Sequence, residues 1–216
     1  MTTVEIFPTE GHPIVYAERL VEEAKPTLLV YGHYDVQPVD PIELWESAPF
    51  EPTIRNGELY ARGAADDKGQ VFIHFKSAEA FLNTSGQLPV NIKYLIEGEE
   101  EIGSPHLDPF IETHQDLLKA DVAMVSDTAM FARGVPSICY GLRGLAYFQL
   151  DLQGAHTDLH SGSFGGAVVN PAFELSKILT AMKDEAGRIT IPHFYDDVRE
   201  LTERERTEFA RLPFNE

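Results

Sequence analysis

Four short segments between residues 33 and 127 place histidine or carboxylates where the chain leaves an apolar run. Gly32-His33-Tyr34-Asp35 follows TLLVYG, and Ala65-Asp66-Asp67-Lys68-Gly69 follows LYARG. Glu99-Glu100-Glu101 follows IKYLIEG, and Ser126-Asp127 follows VAMV. One His-x-Asp, or one run of glutamates, is ordinary surface chemistry. Recurrence at four predicted strand ends is different, because open α/β sheets bind ligands outside the carboxyl ends of their strands. Carboxylates converging there cannot all stay ionised without a compensating cation. One imidazole among several carboxylates suits a divalent ion that accepts nitrogen and oxygen donors, zinc first and manganese second. The candidate set is His33, Asp66, Glu100, Glu101 and Asp127.

Such a set has enough donors for two ions. Ions held roughly 3.5–4 Å apart need a bridging group, and one carboxylate has two oxygens to share. Water between them is acidified toward a pKa of about 7. A glutamate outside the ligand shell must then take the proton. Adjacent Glu100 and Glu101 can divide into base and ligand, and the residues alone leave open which is which.

The elements that must hold these groups follow an α/β pattern, a mixed central sheet flanked by helices. VEIF at 4–7, PIVYAERL at 13–20 and TLLVYG at 27–32 are predicted strands, the last two joined as a hairpin through VEEAKP. A proline-rich loop with Trp45 as a packing anchor leads to a turn and short strand in NGELYARG. Apolar residues at 71, 72, 75, 78, 81 and 82 predict a helix over 69–83. VNIKYLIE at 90–97 is a strand. Ser104-Pro105 predicts a helix running to about Ala120, and VAMVS at 122–126 a short buried strand. From Gly144, LAYFQLDLQ alternates as an antiparallel strand with one wet face. Asn170-Pro171 opens a further helix, and the segment from Asp197 a charged one. These changes put a domain boundary near 142–146: residues 1–143 as the main domain and 144–216 as the start of a smaller α+β domain.

Composition narrows the function classes. A net charge of −18 argues against nucleic acid or an anionic membrane as partner. No apolar run is long enough for a bilayer span, and no secretory leader is visible at the N-terminus. The single cysteine, Cys139, fits a reducing cytoplasm and is expected to be a small buried apolar residue.

GHYDVQP, ARGAADDKG, EGEEEIGS and VSD, in that order, resemble the signature of the co-catalytic metallopeptidase family containing carnosinases, bacterial glutamate carboxypeptidases and aminoacylases. RGLAYFQLDLQGAHTDLHSGSFGG resembles the start of that family's lid, or dimerisation, domain, most closely in the carnosinase-like dipeptidase branch. The resemblance implies two divalent ions, a short peptide as substrate and a homodimer formed through the lid. His33 would bind one metal, with Asp35 orienting its ring. Asp66 would bridge both ions, followed by a cis peptide bond. Glu101 and Asp127 would each complete one metal's carboxylate set, and Glu100 would be the general base. Asp67 falls at a variable position and is left outside the metal shell. His160, with His156 as a nearby competitor, would reach the partner's site and bind the oxyanion. Arg143-Gly144 would be a structural hinge. His12, His74, His106, His114 and His193 match no ligand motif and are expected at the surface or in packing.

The implied activity is hydrolysis of the amide bond of dipeptides or short peptides by a metal-activated water. The alternatives are N-acyl amino acid deacylation on the same site, or a catalytically incompetent fragment that serves only for binding or dimerisation. The family's leading helices and its further downstream metal-binding histidine have no counterpart in these 216 residues, so the sequence is expected to be an internal piece. One metal would then take only Asp66 and Glu101 from protein.

Overall fold

A computed structural model describes residues 1–214. It comprises two compact units, Met1–Tyr140 and a second from Gly141 onward.

The first unit is built on a five-stranded mixed sheet with order β1-β2-β6-β3-β7. Its strands are β1 (Thr3–Phe7), β2 (Ile14–Arg19), β3 (Thr27–His33), β6 (Asn91–Glu97) and β7 (Val122–Val125). β6 pairs antiparallel with β2 and parallel with β3, which is also parallel to β7. Parallel neighbours need a crossover. Helix α1 (Lys68–Ser85) connects β3 to β6, while α2 (Leu107–Thr113) and α3 (Gln115–Leu118) connect β6 to β7. β4 (Thr53–Arg55) and β5 (Glu58–Tyr60) form a separate hairpin. The carboxyl ends of β3, β6 and β7 therefore open on the same side, each followed by a predicted site segment.

β6 is buried along its whole length, as a central strand covered on both faces should be. On one side Val30, Ala78, Leu88, Ile92, Tyr94 and Ile96 form a core, with Val71 and Leu82 of α1 packed against it. On the other, Ile14, Tyr16, Leu95, Phe110 and Leu118 form a second core. Lys93 lies buried but donates to the carbonyls of Leu117 and Lys119, satisfying the end of α3. α1 stops at Gly86, whose positive φ of 74° is a left-handed cap that glycine adopts without steric cost.

Several sequence expectations are corrected. β2 and β3 do not form a hairpin: β6 lies between them, and the hairpin partner of β2 is β1. Burial on both faces makes β6 the better central strand. The helix after Pro105 begins only at Leu107 and breaks at His114. Ser104 does not cap it. Its hydroxyl donates instead to buried Glu97. β7 is exposed rather than buried, because it lies at a sheet edge and, among the described residues, pairs only with β3. On α1, Phe72 and Phe81 face solvent, while Val71, Ala78 and Leu82 face the core.

The second unit contains α4 (Ser161–Phe164), α5 (Pro171–Ala181) and α6 (Glu203–Phe209). Asn170 caps α5 by accepting from the Ala172 amide. Thr202 and Glu205 form a reciprocal capping box on α6. The predicted helix from Asp197 is thus confined to 203–209, and its last two residues, Asn215 and Glu216, lie outside the described residues. LAYFQLDLQ does not form a strand: no pairing partner flanks it among the described residues. Cys139 is exposed, not buried, in a segment without regular secondary structure outside both cores.

Candidate metal centre

His33 ends β3 and is fully buried. Its Nδ1 lies 3.2 Å from Asp35 Oδ1. If that nitrogen carries the proton, Nε2 presents a lone pair. Yet Nε2 faces carboxylates: Asp66 Oδ1 at 3.1 Å, Asp127 Oδ2 at 3.6 Å and Glu100 Oε2 at 4.0 Å. A lone pair aimed at three acceptors is stable only with a proton or a metal ion between them. Donor atoms of His33, Glu100 and Asp127 all lie within 4.8 Å of one another.

The electrostatics fit a cation. Burial pushes the Glu100 carboxyl up; His33 opposes that, while Asp127, Glu101 and Asp66 reinforce it. Asp127 is likewise raised, by burial and then by Asp66. Burial alone would lower the His33 imidazole, but Asp127, Asp35, Asp67 and Glu100 together raise it. Asp67 is almost inaccessible, accepts the His33 amide through Oδ2 at 3.1 Å, and leaves Oδ1 buried without a partner among the described residues. A site so rich in charge has a donor set suited to a hard or borderline divalent ion.

Asp35 ties the two glutamates to the histidine. Its Oδ1 accepts from the Glu100 amide and its Oδ2 from the Glu101 amide, at 3.3 and 3.0 Å. Behind them, Glu97 is buried and accepts from the hydroxyls of Tyr31 (2.6 Å) and Ser104 (2.8 Å). Glu99 is held by His106 at 2.6 Å and by the His12 amide at 3.2 Å. The turn Glu100–Ile102 is therefore anchored from both sides. Asp66 arrives differently from the rest. It precedes the first turn of α1 and does not end a strand of the main sheet, and the Asp66–Asp67 peptide is cis.

The Glu100 carboxylate belongs to the cluster with His33 and Asp127. Glu101's does not, since both its oxygens are engaged by Gln37, at 3.1 Å from the amide and 2.6 Å from the side chain. His160 lies in the second unit, exposed, just before α4, where its carbonyl accepts from the Ser163 and Phe164 amides. His156 is also exposed there. Trp45 is half-buried, with its indole donating to the Val39 carbonyl and Arg62 over its ring. The sequence assigns no site role to Tyr31, Gln37, Glu97 or Ser104, although GHYDVQP contains Gln37 and EGEEEIGS runs from Glu97 to Ser104. A glutamate closing an apolar strand is a further signal for Glu97, since an ionisable group buried there must have partners.

Residues 29–208 match the family described as peptidase family M20/M25/M40. The chain is 39% identical over 195 residues to the Beta-Ala-His dipeptidase of Homo sapiens, covering 89% of this chain and 38% of that protein. It is 38% identical over 207 residues to the Cys-Gly metallodipeptidase DUG1 of Candida albicans, covering 94% and 43%. Among solved structures, the M20 family metallo-carboxypeptidase Sso-CP2 of Sulfolobus solfataricus superposes with a TM-score of 0.74 at 43% identity, over 98% of this chain and 48% of that one. Human carnosine dipeptidase 1 gives 0.68 at 32% identity, over 99% and 47%. The chain thus spans less than half the length of these relatives. With its parallel strand ends, buried histidine and facing carboxylates, the chain belongs to peptidase family M20/M25/M40.

Proposed function

We propose that the protein is a metal-dependent hydrolase of the amide bond in dipeptides or short peptides, using two divalent ions, preferably zinc. The observation that carries this reading is the buried His33 Nε2 facing Asp66, Asp127 and Glu100. The names of the similar Beta-Ala-His and Cys-Gly dipeptidases support the substrate class. When bound, the ions would acidify a water and polarise the scissile carbonyl.

The residues divide the work as follows. His33, Asp66 and Asp127 would hold one ion, and Asp66 and Glu101 would serve the other. Asp35 fixes the His33 ring through Nδ1, so that Nε2 is the donor nitrogen. Glu100 takes a proton from the attacking water on its carboxylate and returns it to the leaving nitrogen. His160 donates to the developing oxyanion from the partner subunit of a homodimer formed through residues 144–216. A reducing cytoplasmic setting is supported by the single cysteine in the sequence.

Glu100→Gln tests the assignment. Zinc content should stay near that of the parent while turnover of a β-Ala-His or Cys-Gly substrate falls by roughly 10²-fold or more. Loss of zinc instead would make Glu100 a ligand and overturn its role as base.

A further inference from the structure

The inner face of α1 carries a polar stripe that its apolar pattern conceals. Asp67 precedes the first turn, Gln70 follows three residues later and His74 four after that, the spacing of one helical face. All three side chains reach strand ends of the metal centre. Asp67 accepts the His33 amide. Gln70 Nε2 donates to the Ala65 carbonyl at 2.5 Å and lies 3.5 Å from the Thr128 carbonyl. His74 Nε2 is hydrogen-bonded to the Ser126 hydroxyl.

Ser126 and Thr128 flank Asp127, and the Thr128 amide donates to the Ser126 carbonyl at 2.7 Å, closing a tight turn around it. β7, which leads into this turn, is weak support, being four residues long, exposed and, among the described residues, paired only with β3. His74 is well placed to supply what β7 does not. It borders a cavity of about 170 Å³ with Leu28, Val30, Ala78, Ile92 and Met124. Burial lowers its imidazole from the ordinary histidine value. A half-buried imidazole in apolar surroundings is held in orientation by its polar partner.

We propose that His74, assisted by Gln70, is a positioning residue for the metal centre: from α1 it fixes the Ser126–Thr128 turn and thereby the Asp127 carboxylate. This rests on the metal reading of the site. Outer partners that orient ligands typically change metal affinity by about 10–100-fold.

The test is titration of the metal-stripped protein with Zn²⁺ alone against a chromophoric chelator, with far-ultraviolet circular dichroism as a check on folding. His74→Phe should weaken Zn²⁺ binding by about 10-fold or more, and His74→Gln should recover most of it by restoring a polar partner for Ser126. Ser126→Ala provides a route that leaves α1 intact and should give a similar loss. His74→Phe combined with Ser126→Ala should lose no more than either alone, since the two remove one interaction. Parent-like affinity in folded His74→Phe or Ser126→Ala would overturn the proposal, as would additive losses in the double variant. If the parent itself binds no Zn²⁺, the metal reading fails and this proposal falls with it. Parent binding that is lost in Asp127→Asn but unaffected by His74→Phe would overturn the positioning role alone.

Discussion

Two segments of similar pattern meet different fates in this molecule. VNIKYLIE at 90–97 and LAYFQLDLQ at 145–153 both read as strands. The first becomes β6, buried along its length between β2 and β3. The second forms no ladder among the described residues, and Tyr147 and Phe148 are each 89% exposed. An alternating sequence needs partners on its hydrogen-bonding edges before it becomes a strand. β6 has two, and it also places Glu97 where Tyr31 and Ser104 can bond it. The contrast extends to chemistry. In the first unit Asp35 bonds the His33 ring and the Glu100 and Glu101 amides, whereas His160 is exposed beside the four-residue α4.

The largest effect should come from the centre of the ordered region. His33→Ala removes the buried nitrogen that the carboxylates face, and Zn²⁺ affinity measured by calorimetric titration should fall more than roughly 100-fold. Retained affinity would show that the carboxylates bind without it. Tyr31→Phe should have an intermediate effect. It leaves one bond to the buried Glu97 carboxylate unmade, and chemical denaturation should show a loss of about 1.5–3 kcal/mol. A neutral result would mean that Ser104 or water satisfies Glu97 without the Tyr31 hydroxyl. The smallest effect belongs to the other segment. Phe148→Ser should change stability by less than about 0.5 kcal/mol in the same assay, because the ring is already in water. A larger loss would mean that this segment is packed in solution, and the contrast would then dissolve.

Much of the first unit was legible from its pattern. β1, β2, β3, β6, β7 and α1 lie within a residue or two of their expected limits, and the His33, Glu100 and Asp127 segments follow parallel strands as their spacing suggested. Strand order was not legible. A turn-like VEEAKP implies a hairpin locally, and only the burial of β6 on both faces reveals that it inserts between β2 and β3. The inward face of α1 was misread at Phe72 because apolar spacing alone ignores a polar residue with a partner, here His74. Glu101 was placed beside the other ligands by resemblance, and nothing in its local sequence announces Gln37 as its partner. In the second unit, the cap at Asn170 acts over two residues and is readable, the Thr202 cap is missed because charge alone set the helix start at Asp197, and strand pairing depends on residues far away in sequence.

The central claim is that the convergence of His33, Asp66, Glu100 and Asp127 is a metal centre. It is tested most directly by the zinc stoichiometry of the purified protein after dialysis against excess Zn²⁺ and removal of loosely held ion. The account predicts saturable binding approaching two ions per chain, with at least the ion that His33 would hold lost in His33→Ala. A folded protein that retains no zinc would contradict it.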